Sequence, residues 1–146
     1  MKKIVFCMLA CWMAFEVQAA DLTWLTSVPD AQAQAKKENK LVMLNFTGSD
    51  WCAWCQKLDA DTFSKPQFAS YAGTNLVLVT VDFPTSKKLP AALVSANEAL
   101  RDKYKVEGYP TLVVLKPDGK VAWTQVGYLA GGPAAMIAEI DKARKK

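Results

Sequence analysis

An apolar run that leads into a closely spaced pair of cysteines constrains this chain more than any other feature. Residues 41–46 are apolar except for Asn45, and a short polar turn then ends at Trp51. Cys52 and Cys55 follow, separated by two residues. A nearly uninterrupted apolar run of this length predicts a strand buried on both faces. The sequence therefore predicts a buried strand, a turn and a helix that begins near the first cysteine.

This placement predicts a chemical role for the two sulfurs. At a helix N-terminus, unpaired backbone N–H groups and the positive end of the helix dipole favour a thiolate over a thiol. A thiolate is the nucleophile of thiol–disulfide exchange, and a neighbouring thiol can resolve the mixed disulfide that it forms. We therefore interpret Cys52 as the attacking, partly exposed catalytic sulfur and Cys55 as the resolving, more buried one.

A structural disulfide and a metal site are the alternatives for this pair. A structural zinc site needs about four ligands, but the chain has no histidine and, beyond the pair, only Cys7 and Cys11. A c-type haem attachment requires histidine after the second cysteine, where this chain has Gln56. A structural disulfide over so short a loop would constrain little chain entropy. A redox-active pair is favoured, and no metal and no cofactor are expected.

The start of the chain is typical of a secretory signal peptide. A basic beginning, a stretch of about 12 apolar residues and a small-residue cleavage site match that pattern, and the apolar stretch is too short to span a bilayer. We predict a signal peptide at residues 1–19 and one domain at 20–146, in the periplasm or otherwise exported. Lipoprotein anchoring at Cys11 is the less favoured alternative.

Composition says little about partners. The chain has 146 residues and a formal net charge of +4, and its mature part is long enough for one core. Four of the last five residues are basic, which suits the end of a solvated helix better than a nucleic-acid site. Export places the thiols in an oxidising compartment. We expect a monomer with no nucleic-acid partner.

Periodicity and turn residues predict the order α-β-α-β-α-β-β-α. The predicted helices are 29–39, 52–63 with a short extension at 67–71, 91–104 and 134–143, and the predicted strands are 41–46, 76–83, 111–115 and 121–126. This order predicts an α/β protein with a parallel βαβ half followed by a hairpin. The result is one central mixed β-sheet flanked by helices on both faces.

Three motifs together resemble the thioredoxin fold. The first is the cysteine pair after a buried strand, preceded by Trp51. The second, Gly-Tyr-Pro-Thr at 108–111, is similar to the segment in which that family's cis-proline starts a strand facing the redox pair. The third is Lys-Pro-Asp-Gly-Lys at 116–120, followed by a strand and Gly127. The chain most resembles the exported single-domain thioredoxin-like disulfide reductases of bacteria, also named periplasmic thiol:disulfide interchange proteins.

The resemblance implies a surface that binds polypeptide substrates. A cis Pro110 would present the backbone of Tyr109 to an extended chain. Trp51, Trp54 and Tyr109 would form an apolar collar around the cysteines, with Tyr128 as a further candidate. Core packing is the alternative for each aromatic side chain.

Two departures from the family concern the cysteines directly. Where thioredoxins have a buried aspartate, the alignment of the apolar strand places Asn45, which cannot titrate; Asp50 is the nearby carboxyl that could substitute for it. The dipeptide between the cysteines is Ala53-Trp54 instead of the commoner Gly-Pro.

The direction of exchange follows from the absence of histidine. Strong oxidants of this fold place histidine between the cysteines, which stabilises the reduced form; this chain has none. We predict an enzyme that reduces disulfides in exported proteins. A disulfide isomerase, or a non-catalytic module that binds Cu(I) or a client chain, is the alternative. The resemblance also implies a membrane protein as the electron donor.

Overall fold

The computed structural model describes residues 22–145. The predicted signal peptide, with Cys7 and Cys11, lies outside the described residues. Within them the helices are α1 (Val28–Glu38), α2 (Ala53–Leu58), α3 (Pro66–Asn75), α4 (Ala91–Lys103) and α5 (Gly132–Arg144). The strands are β1 (Trp24–Leu25), β2 (Leu41–Thr47), β3 (Leu76–Asp82), β4 (Thr111–Leu115) and β5 (Val121–Val126).

The five strands form one mixed sheet in the order β1-β3-β2-β4-β5. Strands β1 and β2 run parallel to β3, whereas β4 is antiparallel to both β2 and β5. The predicted mixed sheet is confirmed. Its central strand is β2, in which every residue except Asn45 is buried.

The core has two halves because β2 presents side chains to both faces of the sheet. Met43 packs with residues of α3 and α5, including Phe68 and Met136. Phe46 packs on the opposite face with Ala31 of α1 and other buried residues. Covering both faces excludes water from most of the sheet and explains why its central strands are predominantly apolar.

The structure differs from the predicted elements at three places. The two-residue strand β1 has no sequence periodicity and forms only because it pairs with Leu78 and Val79. The predicted helix 52–63 divides into α2 and a π-helical segment, Asp59–Phe63; such turns are rare and have no simple sequence signal. Helix α3 extends well beyond 67–71 because packing of its buried face outweighs the low helix propensity near its end.

Two boundaries also have clear local causes. Helix α1 begins one residue earlier than predicted because the Ser27 side chain accepts a hydrogen bond from the backbone N–H of Asp30. Helix α5 begins at Gly132, after Gly131 adopts a φ of 98°. Among residues 22–145, no helix has the length and apolar character needed to cross a membrane.

Candidate active site

The two cysteines are bonded to each other at the start of α2. Cys52 is the N-cap residue of this helix, and its sulfur lies 3.1 Å from the backbone nitrogen of Cys55, from which it accepts a hydrogen bond. The pair forms a disulfide with a Cα–Cα distance of 5.2 Å. The predicted strand–turn–helix arrangement therefore does bring the sulfurs within bonding distance.

Burial does not separate the two cysteines. Cys52 is 6% exposed and Cys55 is 5% exposed, so the prediction of a partly exposed Cys52 is wrong for this disulfide-bonded form. The disulfide closes both sulfurs into one small ring, so both cysteines are buried together. Their surroundings differ instead, because Cys52 lies beside the exposed side chain of Trp51, whereas Cys55 lines a cleft that is open to solvent.

The turn before Cys52 is fixed by hydrogen bonds to the end of β3 and the loop after it. Asp82 accepts hydrogen bonds from the backbone N–H and the hydroxyl of Ser49, at 2.9 and 2.6 Å. The Asp50 carboxylate accepts from the backbone N–H groups of Thr85 and Ser86, at 3.0 and 2.7 Å. These donors, Thr85 first, hold the pKa of Asp50 below its usual value. Asp50 therefore anchors this loop.

The predicted apolar collar, defined as Trp51, Trp54 and Tyr109, lies on the surface. Trp51 is 48% and Trp54 58% exposed, and Tyr109 is half-buried. The rings of Trp51 and Tyr109 meet edge to face, with centroids 5.6 Å apart. Surface exposure of both indoles rules out simple core packing for the two tryptophans.

Phe83 contacts two residues of the collar, Trp51 and Tyr109, and sequence reasoning missed these contacts. The indole Nε1–H of Trp51 donates to the Phe83 carbonyl at 2.8 Å, and the rings of Phe83 and Tyr109 are 5.4 Å apart. The available signal was the position of Phe83 directly after a central strand on the same sheet edge as the cysteines.

Pro110 follows a cis peptide bond at the start of β4. It is buried, and its carbonyl accepts the backbone N–H of Gly127 at 2.8 Å. The preceding residue, Tyr109, packs against Trp51 beside the cysteine pair. The cis bond implied by the resemblance is confirmed, and it links β4 to the collar.

Tyr128 lies beside Trp54, with ring centroids 5.5 Å apart. Its hydroxyl donates to Asp61 at 2.7 Å, and Asp61 also pairs with the Lys57 ammonium at 2.7 Å. The ammonium, followed by the phenol, lowers the pKa of Asp61. The hydrogen bond to Asp61 raises the pKa of Tyr128. This cluster fixes Tyr128 as a neighbour of the collar.

A cavity of about 350 Å³ lies beneath the pair and is lined by Cys55, Asn45, Asp59 and Thr80, among others. The Oδ1 atom of Asn45 is buried and accepts no hydrogen bond from any of residues 22–145. Asn45 thus lines the same cavity as Cys55, as the alignment implied. Asp59 is a carboxyl group on the same cavity that sequence reasoning missed. Its position four residues after Cys55, one helical turn away, was the signal.

Residues 28–144 match a family model described as a thioredoxin-like domain. The chain belongs to the thioredoxin-like family.

Proteins similar to this chain include some that are named for disulfide chemistry. Over 129 residues the chain is 36% identical to the disulfide bond reductase DsbH of Chlamydia pneumoniae, covering 88% of this chain and 76% of DsbH. A solved DsbH oxidoreductase superposes with a TM-score of 0.82 at 35% identity, covering 89% of each chain.

A second match covers only a small part of a larger protein. Over 92 residues the chain is 34% identical to the thiol:disulfide interchange protein DsbD of Photorhabdus laumondii subsp. laumondii. The match covers 61% of this chain and 14% of DsbD. These comparisons confirm the predicted thioredoxin fold and the predicted class, thiol:disulfide oxidoreductase. The individual roles of the site residues of this thioredoxin-like protein stay predictions.

The thioredoxin-like site holds no obvious metal-binding cluster. Within residues 22–145, no three His, Cys, Asp or Glu side chains are grouped so that they could hold a metal ion.

Proposed function

We propose that this thioredoxin-like protein reduces disulfide bonds in exported polypeptides through Cys52 and Cys55. The observation that carries the proposal is the Cys52–Cys55 bond at the start of α2, next to an exposed apolar collar. The similarity to a protein named disulfide bond reductase supports the same direction of exchange.

The reaction begins from the dithiol form. The Cys52 thiolate attacks one sulfur of the substrate disulfide, that bond breaks, and the departing substrate thiolate takes a proton from solvent. A mixed disulfide between Cys52 and the substrate remains. The backbone N–H of Cys55, which points at the Cys52 sulfur, stabilises negative charge there because a hydrogen bond to an ionised acceptor is stronger than one to a neutral acceptor.

The second step releases the substrate. Cys55 loses its proton and attacks the Cys52 sulfur, so that the substrate leaves as a second thiolate and the observed Cys52–Cys55 disulfide forms. Two electrons have then passed to the substrate. Asn45 cannot take the Cys55 proton, so we assign the proton to Asp59, the carboxylate on the same cavity, with cavity water as the path.

The collar gives the substrate its binding surface. Trp51 and Trp54 offer apolar area to an extended chain that has exposed its own apolar side chains. Tyr109 presents its backbone on the same side, with Pro110 fixing the direction of the chain. Because a proline has no N–H, it brings no backbone donor towards the sulfurs.

The location and the partners follow from the chemistry and the start of the sequence. A cleaved signal peptide at residues 1–19 places the enzyme in the periplasm, where disulfides in exported proteins are found. Each turnover leaves the cysteine pair oxidised, so a donor must return two electrons to it. A membrane electron-transfer protein serves as that donor, in line with the similarity to part of DsbD.

Reduction of insulin tests the proposal. The wild type should catalyse the precipitation of reduced insulin chains in the presence of a dithiol reductant, and Cys52→Ser should not. Cys55→Ser should accumulate a covalent complex with the substrate because its second step is blocked. Ala60→Ser, an exposed position in the helical segment after α2, is the control and should keep full activity. An active Cys52→Ser variant contradicts the mechanism.

The direction of exchange has its own measurement. Equilibration with a glutathione redox buffer gives the reduction potential of the pair. We expect a value well below the roughly −120 mV of the strong oxidant DsbA, because no histidine is present to stabilise the reduced form. A potential near that of DsbA contradicts a reductase. Efficient repair of a scrambled disulfide protein, without net reduction, would favour the isomerase.

A further inference from the structure

A second cavity opens beside the collar, between the start of α4 and the segment that follows β3. Its volume is about 200 Å³. Phe83, Leu89 and Val94 provide apolar walls, and Val94 is itself exposed at the surface. Because Phe83 also packs against Tyr109 and accepts the Trp51 hydrogen bond, the cavity adjoins the collar through a shared residue.

Asn97 places an unused acceptor at this cavity. The side chain is only 2% exposed, and its Nδ2 donates to the Asp82 carbonyl at 2.9 Å. This bond fixes which end of the amide is oxygen. The remaining Oδ1 is buried and accepts no hydrogen bond in the described part of the chain. Buried polar atoms are nearly always paired, so this oxygen can accept from a donor in the cavity when the side chains that cover it shift on binding.

Glu98 supplies the negative charge that can attract a positively charged donor to the cavity, since the Arg101 guanidinium, 5.7 Å from the centroid of the Phe83 ring, is already paired with Asp102. Asp82, Glu98 and Lys87 line the cavity. The Asp82 carboxylate is engaged by Ser49, and the Lys87 ammonium donates to the Ser49 hydroxyl at 3.1 Å. The structure shows no hydrogen bond or ion pair of Glu98 among residues 22–145, so its exposed carboxylate is available to a cation.

We propose that this cavity is a substrate subsite for a long cationic side chain, lysine or arginine, of the polypeptide bound at the collar. The aliphatic stem packs on Phe83 and Val94 while the charged head donates to Asn97 Oδ1 and faces Glu98. The inference rests on the proposed function, since it assumes that an extended polypeptide lies across the collar. It adds a sequence preference to a surface otherwise made of apolar contacts.

Matched disulfide-linked peptides test the subsite. Each pair carries lysine or norleucine at one position near the reactive cysteine, and successive pairs move that position along the peptide. Norleucine keeps the aliphatic stem and removes the ammonium group. For wild-type protein we expect kcat/KM to favour lysine at one position by about tenfold, as a hydrogen bond to a charged group predicts. Glu98→Gln should reduce this ratio at least twofold.

Asp30→Asn is the control for the loss of one negative charge at the surface. Asp30 is exposed, lies in the first turn of α1 and does not line the cavity, so the ratio should not change. Equal rates for lysine and norleucine at every position overturn the subsite but leave the reductase intact, as does an unchanged ratio in Glu98→Gln.

Failure of the proposed function has a different signature. In that case neither peptide is reduced in a Cys52-dependent manner. Binding of a cysteine-free lysine peptide, measured by calorimetry against its norleucine counterpart, then decides the subsite. Tighter binding of the lysine peptide to wild type, weakened in Glu98→Gln, supports it, and equal binding overturns it.

Discussion

The position of Trp51 depends on a glycine that precedes it by three residues. A Cβ atom built on Gly48 would lie 2.3 Å from the Trp51 indole, well inside contact distance. The backbone carbonyl of Gly48 also accepts the N–H groups of Trp51 and Cys52, so the turn cannot simply move away. We therefore expect Gly48→Ala to displace the indole into solvent.

The magnitude follows from the contacts that the indole would lose. Its hydrogen bond to the Phe83 carbonyl contributes about 0.5–1.5 kcal/mol, and its edge-to-face pair with Tyr109 contributes about 0.5–1.5 kcal/mol. Because Trp51 is already half exposed and can swing outward, the backbone need not distort. We expect Gly48→Ala to lower the free energy of unfolding by about 1–3 kcal/mol.

Urea unfolding of the disulfide-bonded protein, followed by circular dichroism, measures this change. Gly73→Ala is the matched control, because a Cβ there meets nothing within 4 Å and the residue lies inside α3. That variant should be more stable than wild type by about 0.5–1 kcal/mol, the helix penalty of glycine. The two glycine-to-alanine changes should thus have opposite signs.

A double-mutant cycle separates the clash from any effect on the turn itself. In a Trp51→Ala background the indole is absent, so Gly48→Ala should cost almost nothing. If Gly48→Ala is as stable as wild type, or destabilises equally with and without Trp51, the steric explanation is wrong.

Three further predictions concern the core and two titrating groups. Phe68→Ala, at a fully buried ring, should cost about 3–5 kcal/mol in urea unfolding. The backbone N–H groups of Thr85 and Ser86 hold the pKa of Asp50 low. The contribution of the Asp50 carboxylate to stability is therefore present above about pH 4 and is lost as the pH falls through the folded-state pKa. Asp50→Asn should flatten the acid limb of a stability–pH curve. Burial and the Asp141 hydrogen bond raise the pKa of Tyr71, so its contribution is present below about pH 10 and declines as the pH rises above that. Tyr71→Phe should remove that alkaline decline.

The central strands and the cysteine chemistry could be predicted because they depend on local patterns. Residues 41–46 are apolar except for Asn45, which favours a strand buried on both faces, and the structure has β2 there. The spacing of Cys52 and Cys55 alone permits their bond. The aromatic collar was predictable only through resemblance, since the sequence alone does not distinguish an exposed tryptophan from one in the core.

The remaining features depend on contacts between distant segments. Whether Asp50 faces the cysteines or the loop after β3 is decided by the N–H groups of Thr85 and Ser86, more than thirty residues away in sequence. The exposure of Cys52 likewise depends on which residues, distant in sequence, pack around it. The subsite proposed at the second cavity depends on Asn97 Oδ1, which has no partner within residues 22–145 and which no pattern within α4 reveals.

The packing of α5 against the rest of the molecule determines where the protein can be tethered. Arg144, near the end of α5, donates to the carbonyl of Asn75, immediately before the residue of β3 that pairs with Leu41. Cys52 lies beyond the other end of β2, a strand of seven residues that is about 20 Å long. An electrode linker joined to the last turn of α5 would therefore leave the end of the sheet that carries the disulfide and the collar facing away from the electrode, towards dissolved partners.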